Sequence, residues 1–321
     1  MEAFLFSINS VLPVFLLTFV GWFIRRQGML PQNVVGALNS IAFNIALPAL
    51  LFREMAQANI TQVFHPAFVL YGVGGTALTF AIAWVVAEVF IKDKASVGAF
   101  VQGSFRGNYA MMGLLLIFNI LGHTGKGILL TAFVVPAYNI LSVVVLTFRS
   151  RNPQGGSVAK AVYGIARNPL IIGILLGLPF SLLQIPLFTS ENTKFLATTV
   201  KHLADLANPL AMLAIGASIS AGKVAKGLRL ALGAAVVKLV LAPLLLVGAA
   251  YLLRDTLGFS GEDLVVLFVV FGVPTAVASY IMASKMDADA DLAANILLIT
   301  SLLSIFTITF GIYLFKAGGL I

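Results

Sequence analysis

The chain has 321 residues, of which 60% are hydrophobic and 10% charged, with a formal net charge of +8 and a mean hydropathy of +1.03. A soluble globule is excluded, because the apolar residues fall in runs of about 20, the length that crosses a bilayer. The absence of cysteine excludes a disulfide framework, a thiolate metal site and a cysteine nucleophile, and the positive balance reads as loops facing anionic lipid with no nucleic-acid partner.

Taken in chain order, the apolar runs predict ten spans, near 4–24, 34–52, 66–91, 96–121, 127–148, 169–188, 199–220, 230–252, 264–284 and 293–315. The fold class is an all-α polytopic membrane protein. The first span opens on Glu2 instead of a basic segment and is followed by Arg25 and Arg26, so it reads as retained in the membrane and not as a cleaved leader. Span two carries Asn44 and Pro48, and span three carries Glu88 close to its end. Span four is interrupted by Phe105-Arg106-Gly107-Asn108-Tyr109, which puts a guanidinium, a flexible glycine and an amide at mid-depth. Span five holds Asn139, span seven Asn208-Pro209 and span eight Lys238. Span nine is interrupted at Gly272-Val273-Pro274-Thr275, ahead of Ser279.

Charge orients these spans. Arg25, Arg26, Lys92, Lys94, Arg149, Arg151, Lys160, Arg167, Lys223, Lys226, Arg229 and Lys285 follow odd-numbered spans. Only Arg53, Lys126, Lys194, Lys201 and Arg254 follow even-numbered ones, with Lys316 in the tail. The first set belongs to the cytoplasmic side, so both termini are expected outside. The basic stretch 149–168 is the natural linker between halves at 1–148 and 169–321. Five spans per half is an odd number, so the second half enters from the opposite side and the two are related as inverted five-helix repeats. Pro48 and the Arg106-Gly107-Asn108 break have positional counterparts in Asn208-Pro209 and Gly272-Val273-Pro274. Interruptions at corresponding places of two halves point to a transporter site near the midplane.

A charge at mid-membrane costs at least about 2.5–3.5 kcal/mol, so Arg106 is retained only where protein or a water-filled cavity surrounds it. It reads equally as a substrate contact or as a structural arginine held by freed carbonyls. Half-helix N-termini offer unpaired N–H groups and a partial positive charge, which suit an anion. Pro274 frees a carbonyl ahead of it, Gly107 supplies a permissive backbone, and the Asn108 amide can contact substrate. The substrate-binding candidates are therefore Arg106, Gly107, Asn108, Tyr109, Pro274, Thr275 and Asn44. Pro48, Lys238, Asn139, Ser279 and Asn208 are pathway or structural candidates, and Lys238 is expected to snorkel toward the inner surface. Spans four and nine contain no carboxylate, with Glu88 and Asp205 the nearest acids considered, so the buried charge favours an anionic substrate over a cation. His65, His123 and His202 fall near span ends, and no metal site is expected.

Together Val11-Leu12-Pro13-Val14-Phe15 with Gly21, Phe43-Asn44-Ile45-Ala46-Leu47-Pro48-Ala49-Leu50, Arg106-Gly107-Asn108-Tyr109 with Gly113-Leu114, and Val273-Pro274-Thr275-Ala276-Val277 resemble the auxin efflux carrier family in its compact prokaryotic form, over essentially the whole chain. The resemblance implies a scaffold of spans one, two, six and seven and a transport domain of spans three to five and eight to ten. Broken spans four and nine would cross, bind an organic anion such as malate, malonate or lactate, and move it like an elevator. The chain lacks the first crossover proline of the plant members, with Gly107 and Asn108 in its place, and lacks their long central loop, which argues against auxin as native substrate. No cofactor is implied. The expected partners are the anion, the lipid bilayer and a coupling ion, proton or sodium, with a homodimer through the scaffold as the assembly. The rival readings are a cation/proton antiporter on a related crossed-helix scaffold, a non-transporting membrane sensor and an intramembrane enzyme, the last weakened by the lack of a base beside the midplane serines.

Overall fold

The computed structural model describes residues 2–57, 65–123, 126–150, 163, 166–188, 190–218 and 221–320. Most of the linker expected at 149–168 lies outside them. The described residues are helical throughout apart from turns and one isolated bridge. In chain order the helices are α1 (Glu2–Arg26), α2 (Gln32–Ile41), α3 (Leu47–Gln57), α4 (Pro66–Phe90), α5 (Lys94–Phe105), α6 (Leu114–Leu121), α7 (Lys126–Phe148) and α8 (Pro169–Leu182). They continue as α9 (Lys194–Asp205), α10 (Ala207–Ser218), α11 (Ala221–Val236), α12 (Ala242–Leu252), the short α13 (Arg254–Leu257), α14 (Gly261–Gly272), α15 (Ala278–Lys285) and α16 (Ala290–Ala317).

Among the described residues, five stretches are long and apolar enough to cross a membrane: Asn33–Gln57, Pro66–Phe90, Leu129–Phe148, Gly227–Leu252 and Ala290–Ala317. Of the ten expected spans these are two, three, five, eight and ten. Helix occupies each of the other runs, but spans four, seven and nine are divided and α8 has 14 residues. Span two runs on to Gln57, past the expected end at 52. Span seven divides at Leu206, between α9 and α10, because Pro209 cannot donate an N–H to the carbonyl four residues before it.

Two other prolines are absorbed without a break. Pro48 follows a π-helical turn at Ala42–Ala46, and Pro243 follows another at Val237–Leu241. In each case one residue more per turn accommodates the missing donor and the ring, so the helix continues. The helix starts are specified locally. Ser260 and Asp263 form a reciprocal capping box on α14, Asp93 caps α5, and Asn168 caps α8 with Pro169 in its first turn.

Small residues let helix backbones touch. A Cβ at Gly173 would lie 2.6 Å from the Pro48 carbonyl oxygen, and one at Gly177 would lie 2.7 Å from that of Phe52, so α8 lies directly on α3. Gly21 and Gly216 similarly face the backbones of Leu213 and Thr18, joining α1 to α10. In a lipid environment such close approach supplies the packing energy that the hydrophobic effect does not.

Candidate functional site

The two interruptions meet. α5 ends at Phe105, and Arg106 then adopts an extended backbone (φ −81°, ψ 116°). α14 ends at Gly272, and Val273 is likewise extended (φ −67°, ψ 149°), as a residue before proline must be. Gly107 and Thr275 pair as an antiparallel bridge, and the Asn108 N–H donates to the Pro274 carbonyl at 2.8 Å. The Pro274 carbonyl is thus used by the other break, while the carbonyl that its missing N–H frees, that of Val270, accepts from Tyr138 and Lys238. Gly107 is required here for space: an added Cβ would lie 2.8 Å from Val273 Cγ2 and 3.1 Å from Lys238 Nζ.

Lys238 does not snorkel. It is 1% exposed, and its ammonium donates to the carbonyls of Phe271 at 2.9 Å, Val270 at 3.4 Å and Phe105 at 3.5 Å. Those are the last carbonyls of α14 and α5, whose ends carry partial negative charge and lack intrahelical partners. The π-turn Val237–Leu241 sets the lysine into that position. The Tyr138 hydroxyl also donates to Val270, at 2.9 Å.

On the other side of the bridge the opposite helix ends converge. Asn108, Tyr109 and Ala110 begin the segment leading into α6, and Ala276, Val277 and Ala278 begin α15; both groups line one cavity of about 40 Å³, room for about three water molecules. Arg106 lines it too. Its guanidinium donates to Asn139 Oδ1 at 2.7 Å and also contacts the sulfur of Met282, so α7 and α15 hold it from two sides. Asn139 is fixed in turn by donating to the Val135 carbonyl. Two helix N-termini and a guanidinium therefore bias this cavity positive.

The remaining candidates divide. Asn208 lines the cavity. The Tyr109 hydroxyl reaches away to the Gly127 carbonyl at 2.9 Å. The Thr275 hydroxyl is committed to the Gly103 carbonyl at 2.8 Å and its N–H to Thr300 Oγ1 at 3.2 Å, so this residue braces the break and its side chain does not face the cavity. Asn44 is exposed, donates to the Ser40 carbonyl of its own helix and is not part of the cavity wall. Pro48 packs against Gly173. Ser279 is buried and its hydroxyl has no partner.

One acid escaped the sequence reading. Glu54, beyond the expected end of span two, lines the cavity opposite Arg106, and the two charges act on one another. The signal available was only the polar Arg53-Glu54 pair directly after the apolar run, which by itself reads as the end of a span. Glu54 and Ala110 also line a wide cleft of about 610 Å³ that contains Arg53, Lys194 and Lys201 and opens on the side of the loops after even-numbered spans. Arg53 pairs with Asp205 at 2.8 Å and Lys194 with Glu191 at 3.1 Å at this mouth.

Helices interrupted inside a membrane bundle and joined around a charged cavity are the architecture of membrane transport proteins. The profile of the family described as "Membrane transport protein" matches residues 6–166 and 157–312, and the chain belongs to that family, the auxin efflux carrier family that its motifs resemble. It is a multi-pass membrane transporter and not an enzyme. Among its relatives, a Rhizobium meliloti protein described as "Putative malonate transporter" is 28% identical over 319 residues, 97% of this chain and 96% of that one. An uncharacterized transporter of Methanothermobacter thermautotrophicus is 23% identical over 304 residues, 94% and 96% of the two chains. The uncharacterized transporter YfdV of Escherichia coli K12 is 24% identical over 309 residues, 91% and 94% of the two.

Proposed function

We propose that the protein is a secondary carrier of small organic anions, mono- or dicarboxylates of the size of malonate, malate or lactate. The observation that carries this reading is the cavity where Arg106 and the N-terminal ends of two half-helices converge while the C-terminal ends are neutralised elsewhere by Lys238. A carboxylate there would accept charge-assisted hydrogen bonds from donors already oriented. The relative named for malonate supports the substrate class.

Transport proceeds in this reading by alternating access, with the ten spans arranged as inverted repeats. Close backbone packing of α1 on α10 and α3 on α8 supports a fixed scaffold of spans one, two, six and seven. The remaining spans carry the joined breaks as an elevator-like body. The cleft at Arg53 and Lys194 is the entry from outside, on the orientation that places both termini outside. The site at present admits water but no whole substrate, so binding requires α3 and the breaks to part.

Uptake of labelled malonate, malate, lactate and succinate into proteoliposomes, with tracer sodium and rubidium flux measured alongside, tests the reading. Uptake of one of these acids, saturable and competed by the others, is expected. Glu54 at the cavity favours one rival, a cation/proton antiporter, and cation flux without uptake of any acid would establish that reading in place of this one.

A further inference from the structure

We propose that Lys238 is a resident cation occupying the position where a carrier of this architecture would otherwise bind a monovalent metal ion, so that transport needs no sodium. Deepening the transporter reading, the inference rests on it for flux but not for stability.

Carriers with interrupted helices hold sodium on unwound carbonyls and on the C-terminal ends of half-helices, leaving no carboxylate signature in the sequence. Here the ends of two such half-helices, α5 and α14, point their last carbonyls at one place, and what sits there is an ammonium. Nζ of Lys238 is within 2.9 to 3.5 Å of oxygens from Phe105, Val270 and Phe271. The ring of Tyr138 lies 5.9 Å away, presenting its face to the same charge. Among the described residues no carboxylate forms an ion pair with Lys238; the helix ends are its counter-charge. The fit is close on the Gly107 side, where even an added methyl would meet Nζ at 3.1 Å. A second cation has no room and would meet a like charge.

Shortening the side chain should therefore vacate a cluster of carbonyls suited to a small hard cation. The test uses the purified full-length protein in sodium, lithium and choline chloride at equal ionic strength. Wild type is expected to show the same thermal midpoint and the same malonate uptake in all three. Lys238→Ala should be less stable than wild type in choline, regain stability in sodium, and take up malonate faster in sodium than in choline by about tenfold, the order of a typical coupling between two sites. Lys238→Met, which fills the space without charge, should be destabilised in every salt. Sodium dependence of the wild type would overturn the proposal, as would a Lys238→Ala protein equally stable in sodium and choline. If Lys238→Ala does not fold, the wild-type comparison still decides, and Lys238→Arg, which keeps the charge, should remain sodium-independent. Should no acid be transported by any form, the stability arm tests the cation position by itself, while the anion reading alone falls.

Discussion

Arg106 is the residue on which an anion site depends. Its hydrogen-bond partners, Asn139 and Met282, are neutral, so Glu54 across the cavity is the counter-charge that a ligand must compete with. Arg106→Gln should raise the apparent KM for malonate at least about thirtyfold, since truncating one partner of a buried charge pair costs about 2–5 kcal/mol, while the protein remains inserted. Unchanged uptake kinetics in correctly folded mutant would remove Arg106 from the site. Glu54 should act in the opposite sense, because its carboxylate opposes an incoming anion at the same cavity. Glu54→Gln should lower KM at neutral pH; a variant with the wild-type KM would take Glu54 off the path. Arg106 was legible in the sequence because a charge in an apolar run is conspicuous. Glu54 was not, because a carboxylate two residues beyond the apolar run reads as the end of a span, and only the approach of α3 to the breaks brings it inside.

At the scale of elements, the joined breaks make steric predictions. Gly107→Val should abolish most transport, because the close approach of Val273 and Lys238 leaves no room even for its Cβ, whereas Gly248→Val, where nothing lies within 4 Å of the Cβ, should be close to neutral. Equal effects of the two would show that the junction tolerates separation. Substrate should also protect cysteines placed at Asn108 and Ala276 from a thiol reagent, since both residues line the cavity from opposite halves of the chain; protection of neither, with transport intact, would make the breaks hinges. Both interruptions could be read from Gly107 and Pro274, which disrupt helix for reasons local to the chain. The role of Lys238 could not, because its partners are backbone carbonyls 133 and 32 residues away, and a lone lysine in an apolar span looks the same whether it reaches inward or toward a surface. Nor could the fate of Thr275, whose hydroxyl is claimed by Gly103 only once the breaks have met.

For the whole molecule, the asymmetry of basic loops predicts which face is cytoplasmic. A cysteine at Gln27 should be protected from an impermeant reagent applied to intact cells and one at Asn192 labelled, a comparison that native cysteines cannot confuse because there are none. Labelling in the reverse order would turn the bundle over, and with it the side on which the wide cleft opens. The placement of Arg106 and Glu54 has an electrical consequence. They lie on helices that the proposed movement would slide past one another, α5 travelling and α3 staying, so their mutual attraction cannot be carried through the cycle. An empty travelling body would take the charges of Arg106 and Lys238 across the field, at about 2.3 kcal/mol per elementary charge for each 100 mV. A bound monoanion would cancel one of the two charges and a dianion both. Voltage should then act on both steps when lactate is moved but only on the return of the empty carrier when malonate is moved, so the valence of the cargo decides whether the membrane potential controls both halves of the cycle or one.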